Sequence, residues 1–347
     1  MKLRYWVAAF MAAQTTGFWH SPAPVQAAAG AEYTVAPIIP ANQRSNVSSY
    51  FDLVVKPGTT QDLKLSVSNR TATSRRLRVS LETAFTQING QVGYQPGAPR
   101  DDSAQYWLSD LAPKPQTITL GGNATREVTV PVKIPQGGFR GVMLGSLYVI
   151  DLAKPTGGSG QGMQIRNRFA TVVGVQLQTS AGALKEVAPH LRLLSVGAGI
   201  QNHAPGVLAT VQNDRATYWG KMHFNAKVYR RGTRQVVLSR SANNFSVAPN
   251  SHFNFGIMGT KALDPGDYTL DLRVTGPHGR WHFKRNFSIL AAQADRINHK
   301  LGLKRQFVMP WWGWLLIALA VILLAGLVWF GLRRHRRGRQ DVTVAKK

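Results

Sequence analysis

The sequence predicts an all-β protein: two tandem Ig-like antiparallel β-sandwiches plus one C-terminal transmembrane helix. Three features lead there. Apolar residues recur with a period of two along the body, turn formers punctuate them, and a long apolar run near the C-terminus ends in arginines.

In QDLKLSVSN, Leu63, Leu65 and Val67 alternate with polar neighbours, and in REVTVPVKIP Val128, Val130, Val132 and Ile134 do the same. Successive strand side chains point to opposite faces, so the pattern describes sheets with one dry and one wet face. It recurs at Leu77, Val79 and Leu81, at Met222, Phe224, Ala226 and Val228, and at Tyr268, Leu270, Leu272 and Val274. KPGT at Lys56, NG at Asn89, RRGT at Arg230, APNS at Ala248 and DPGD at Asp264 supply the turns. Many short strands between such turns point to antiparallel sandwiches. Only SAQYWLSDLA reads as a brief helix within the body, and a solvent-side helix is expected over 291–303.

The ends set the topology. No charged residue lies between Trp311 and Leu332, and about 22 residues at a helical rise of 1.5 Å cross a hydrocarbon core about 30 Å thick. Trp311, Trp312 and Trp314 at one end and Trp329 at the other suit the headgroup level, where amphipathic rings settle. Arg333, Arg334, Arg336 and Arg337 follow, and positive charge beside a span stays in the cytoplasm. At the other end Lys2 and Arg4 precede a short apolar stretch and then small residues, the order of a secretory signal peptide cleaved after Ala27 or Ala29. The expected location is therefore a single-pass protein of the cell membrane, with its body outside in the wall and its C-terminus inside.

The expected order is a signal peptide (1–29), a first sandwich (30–153), a Gly/Ser-rich connection (154–163), a second sandwich (164–290), a membrane-proximal stalk (291–310), the span (311–332) and a basic tail (333–347). KPTGGSGQG has the composition of flexible coil. It marks the expected boundary between the sandwiches; because strands stand close on both sides of it, the alternative is a long hairpin tip within one sandwich.

The 347 residues carry 42 Lys+Arg against 16 Asp+Glu, a formal charge of +26. Taking away Lys2, Arg4 and the net six positive charges beyond Leu332 leaves eighteen outside. Such an excess attracts polyanions, and outside a bacterial membrane these are teichoic acids and lipid headgroups. Nucleic acid is not an expected partner, since no recognition motif appears and the compartment is wrong. The chain has no cysteine, so the exported domains must be held by their cores, as on a bacterial surface outside a single membrane.

No catalytic residue, metal ligand or cofactor is assigned. Asp101 and Asp102 in RDDS form the only adjacent carboxylate pair, and neighbours on a loop point apart, as in a solvated turn. His278 and His282 in HGRWH fall between two strands without a third ligand nearby. GxSxG, HExxH and phosphate-binding loops are absent from the sequence.

The stretches APIIPANQ, SYFDLVVKPGTTQDLKLSVSN, INGQVGY, YWLSDL, VPVKIPQGGFRGVMLGSLYV and RNRFATVVGVQLQ, in this order, resemble the WxL-interacting proteins of low-GC Gram-positive bacteria. AKVYRRG, FSVAPNSHFNF and LDPGDYTLDLRV, with the terminal span and basic tail, resemble the family's second domain and anchor. The resemblance implies a peptidoglycan-binding domain, then a host-protein-binding domain, and partnership with secreted WxL-domain proteins. Within the matching stretches Gly141 and Gly145 suggest close strand approach or bulges. Tyr94, Tyr106, Trp107 and Tyr148 are the contact candidates, since aromatic planes stack on sugars and anchor interfaces; packing in the core is the other role open to each.

The expected function is a membrane-anchored extracellular protein that makes and breaks no bond. It would bind peptidoglycan and anionic wall polymers and tether WxL-domain or host extracellular proteins. A non-catalytic chaperone or regulatory subunit of a surface complex is the alternative, followed by a wall-modifying enzyme.

Overall fold

The computed structural model describes residues 32–152, 169–304 and 311–340, with side chains from 312 to 330 in the last segment. The expected signal peptide and the whole Gly/Ser-rich connection lie outside the described residues.

The first sandwich packs two sheets. In one, β1 (Tyr33–Ile38), β3 (Thr60–Asn69) and β8 (Thr125–Lys133) lie in the order β1-β3-β8. The other has the order β2-β10-β9-β4-β7, from β2 (Phe51–Val54), β4 (Arg75–Thr83), β7 (Gln116–Leu120), β9 (Val142–Asp151) and β10 (Ala170–Gln178). All neighbours are antiparallel except β2 and β10. The dry face read from the sequence is the observed one: Leu63, Leu65 and Val67 of β3 meet Leu77 and Val79 of β4 and Leu147 and Val149 of β9 in a single core. Tyr33 crosses between the sheets, its hydroxyl donating to the Val149 carbonyl at 2.8 Å.

The second sandwich sets β11 (Leu191–Gln201), β12 (Ala204–Asn213) and β15 (Ser251–Met258) against β14 (Val236–Val247), β13 (Trp219–Arg230), β16 (Gly266–Gly276) and β17 (Gly279–Ile289), in the orders β11-β12-β15 and β14-β13-β16-β17. Phe224 is fully buried, with ring centroids 5.0 Å from Phe245 and 5.2 Å from Phe255. Tilted aromatic contacts at such distances favour one packing arrangement beyond area burial alone.

The boundary differs from the expected one. β10 was expected to open the second sandwich, but it pairs with β9 over nine positions and runs parallel to β2. The glycine run therefore falls between two strands of the first sandwich, the hairpin-tip alternative. Alternating apolar residues reveal a strand but not its sheet. The chain crosses between sandwiches further on, through the short helix α1 (Ala183–Glu186).

The expected stalk also changes. Helix α2 (Ala291–Lys300) packs Ala294 and Ile297 into the second core. The Asn298 side chain donates to the Leu263 carbonyl at 2.9 Å and accepts from the Leu263 amide at 2.8 Å. The second domain thus extends through α2. Helix α3 (Trp311–Gln340) follows, and its segment Trp312–Phe330 has a mean hydropathy of 2.5 and buries none of itself against the protein.

Candidate functional site

The two sandwiches meet through polar contacts that position a cleft. A small hairpin, β5 (Phe85–Thr86) and β6 (Val92–Gly93), reaches from the first sandwich onto the second. The Thr86 hydroxyl accepts from the Ala248 amide at 2.9 Å and lies 2.7 Å from the Ser251 hydroxyl. Ser251 in turn donates to the Ala248 carbonyl, so the proton between the two hydroxyls comes from Thr86. The Ser246 amide donates to the Gly90 carbonyl at 2.7 Å, and Val142 donates to Ala216 at 2.8 Å.

Asp101 is the hub of this junction. Expected on a solvated turn, it is only 2% exposed. One carboxylate oxygen accepts from the Ser103 amide at 2.9 Å and from Gln212 at 2.8 Å, and the other lies 2.7 Å from His252 Nδ1. Burial by itself would raise the carboxyl pKa, but the bonds from Ser103, His252 and Gln212 outweigh it and hold the group below its ordinary value. An ionised carboxylate only accepts, so His252 Nδ1 carries the proton. Asn250 adds a bond to the Ser103 carbonyl at 2.9 Å. The local signal was Asp followed two residues later by Ser, the pattern of a side chain that closes its own turn. The partners from the second domain stand more than a hundred residues away and leave no local trace.

Gly141 and Gly145 meet the expected close approaches. A Cβ on Gly141, whose φ is +80°, would stand 2.2 Å from the Ala216 carbonyl oxygen of the second domain. On Gly145 it would stand 2.1 Å from the Glu82 carbonyl oxygen of the neighbouring strand.

Beside the hub opens a cleft of about 610 Å³ between the sandwiches. Tyr106, Trp107 and Leu108 form one wall, where a 3-10 turn (Leu108–Leu111) fits the brief helix expected there, and Phe139 and Met143 add apolar surface. Arg140, His190, Asp214, Arg215 and Asn250 supply polar groups around it. Asp214 gathers His190 at 2.8 Å and Arg215 at 3.3 Å, and Arg140 donates to the Glu186 carbonyl at 2.9 Å. The Arg100 guanidinium lies 5.2 Å from the Trp107 ring centre and 2.7 Å from Asp110. Volume and lining match sites for small ligands: apolar and aromatic surface with a few converging polar groups.

The four aromatic candidates do not converge. Tyr106 and Trp107 share the cleft. Tyr94 is half-buried near the domain contact, its carbonyl accepting from Ser146 at 3.0 Å; burial, then the nearby Tyr218, raises its phenol. Tyr148 lies on the outer face of β9, opposite the core residues Leu147 and Val149. His278 and His282 also separate: His278 meets the Trp219 ring edge-on, and His282 lies 3.1 Å from Asp271. Among the described residues there is no cluster of three metal-ligating side chains. Of the anchor residues, Trp312, Trp314 and Trp329 are exposed on α3. Trp311, Arg333, Arg334, Arg336 and Arg337 lie along the same helix.

Two β-sandwiches in tandem, joined by a polar junction with an aromatic-lined cleft and followed by a long apolar helix, define a two-domain protein built for binding. The chain belongs to the WxL-interacting protein family: residues 33–151 match the family's peptidoglycan binding domain and residues 160–299 its host binding domain. The second match begins ahead of β10, although that strand belongs to the first sandwich's sheet. Both matched domains are binding domains rather than enzymes. No curated protein matches the sequence. Among solved structures, a chain of the CFA/I fimbrial chaperone–tip adhesin complex is similar at 10% identity, over 75% of this chain and 99% of its own, with a TM-score of 0.30. The CupB2 chaperone of Pseudomonas aeruginosa is similar at 14% identity, over 66% of this chain and 92% of its own, with a TM-score of 0.24.

Proposed function

We propose that the chain is a membrane-anchored wall tether whose interdomain cleft seats peptidoglycan. Under this reading α3 spans the membrane, the two sandwiches reach into the wall, and secreted WxL-domain proteins or host proteins dock on the remaining surface. The cleft is the observation that carries it. Tyr106 and Trp107 offer planes for sugar faces, and Arg140 and Arg215 offer guanidinium groups to the carboxylates of peptidoglycan stems. No bond needs to be made or broken.

Titration calorimetry with soluble wall fragments tests the seat. Saturable heat with the natural protein, lost in Trp107→Ala, is the expected result. Equal heat from both proteins removes the cleft from the reading.

Tethering is tested separately with a secreted WxL-domain protein. Capture by the full chain on wall-free vesicles supports a direct partner contact. Capture only when wall is present means that the wall, not this chain, holds the partner.

A further inference from the structure

We propose that the membrane-proximal end of the second sandwich rests on the anionic headgroups of the bilayer that holds α3. The inference rests on the anchor reading above and adds a second contact with the membrane, made by the folded body.

One end of this sandwich collects basic groups from three segments. The end of β13 and the turn to β14 carry Arg230, Arg231 and Arg234, the loop before β16 carries Lys261, and Arg296 and Lys300 lie on α2 with Lys304 just after it. The sheet register places these together. Arg230 pairs with Tyr268, Gly266 pairs with Ile289, and the Arg231 amide donates to the Asp267 carbonyl at 3.0 Å. The bonds between Asn298 and Leu263 clamp α2 onto the same loop. All seven cations are exposed, against the three exposed carboxylates Asp264, Asp267 and Asp295.

Apolar groups stand beside them. Leu290, where the chain leaves β17 for α2, is 68% exposed, more than any other large apolar side chain described outside α3, and Val236 on β14 is 45% exposed. Cations interspersed with exposed aliphatic side chains are what an interfacial surface uses, the charges meeting phosphates and the alkyl groups entering the headgroup layer.

Chain length decides the occupant. Lys304 stands seven residues before Trp311, and seven residues at about 3.5 Å each reach at most about 25 Å. Exposed charges act only within about 8 Å at physiological ionic strength, so the polyanion held beside this end has the advantage. The tether holds it next to the bilayer continuously, at a high effective concentration.

The test uses the full chain in vesicles. The chain lacks cysteine, so Thr233→Cys in the β13–β14 turn and Ala72→Cys in the first sandwich each give one site for a donor dye, with an acceptor dye on the lipid. Energy transfer from position 233 should be stronger in phosphatidylglycerol-rich bilayers than in pure phosphatidylcholine. It should fall in high salt and in a variant replacing Arg231, Arg234, Lys261 and Lys300 with Gln. Transfer from position 72 should stay low throughout, and an unchanged thermal melt of the variant shows that it is folded. Equal transfer from 233 in both lipids, or no response to the four Gln substitutions, overturns the proposal. So does loss of transfer on adding soluble teichoic acid at physiological salt, which would assign the patch to wall polymer. Failure of the chain to float with phosphatidylcholine vesicles would instead defeat the anchor reading.

Discussion

Asp101 of the first sandwich and His252 of the second meet at 2.7 Å, with the carboxylate 2% exposed. A buried carboxylate is tolerable only when its acceptor sites are filled, and here half of the filling comes from the other domain. The relative placement of the sandwiches, and with it the shape of the cleft, thus depends in part on this side chain, beside the backbone bonds Ser246–Gly90 and Val142–Ala216.

Asp101→Asn keeps the shape and removes the charge, so the donors Gln212 and His252 face a weaker acceptor. The expected loss is about 1–3 kcal/mol, the range for disrupting a buried hydrogen-bonded group. Urea unfolding should show it, together with faster proteolysis in the connection 179–190. An unchanged midpoint would mean that the junction does not depend on this group.

The same carboxyl gives a pH dependence. Its folded pKa lies below the unfolded one, so its contribution is fully present above the unfolded value, about 4, and is lost as pH falls through that value and the folded one. The difference in urea midpoint between the natural protein and Asp101→Asn should therefore be constant near neutrality and shrink below about pH 4. A difference that grew on acidification would contradict the sign.

Gly141→Ala should destabilise the domain contact. The position has φ +80° and a Cβ would stand 2.2 Å from the Ala216 oxygen that accepts from Val142. Strain of this kind costs about 1–3 kcal/mol. Thermal melting of the variant beside the natural protein measures it, and an equal melting point would show that the contact gives way without cost.

Most of the architecture was legible in the sequence because it is written locally. Leu63, Leu65 and Val67 announce a strand and its dry face within five residues, and the run from Trp311 announces its helix by length alone. Pairings between distant segments leave no such mark. β10 looks the same whether it closes the first sandwich or opens the second, and its partner β2 lies more than a hundred residues earlier. Ala294 and Ile297 are too few to display a buried stripe on α2. Of the four aromatic candidates, Tyr106 and Trp107 stand beside a turn that the fold carries to the domain boundary. Tyr148 obeys the strand alternation and so faces away from the core.

That divergence separates the candidates by experiment. Trp107→Ala should weaken wall binding about tenfold or more, the scale at which an interface aromatic counts, while Tyr148→Ala leaves it unchanged. Equal losses would place the wall contact on the outer face of β9 as well.

The most direct measurement is sedimentation of the detergent-solubilised full chain with purified walls stripped of teichoic acid, at high salt, with Trp107→Ala alongside. A shaped peptidoglycan seat predicts that the natural protein stays with the pellet and the variant stays in solution. Loss of both from the pellet would leave only charge attraction and contradict the seat; retention of both would place it outside the cleft.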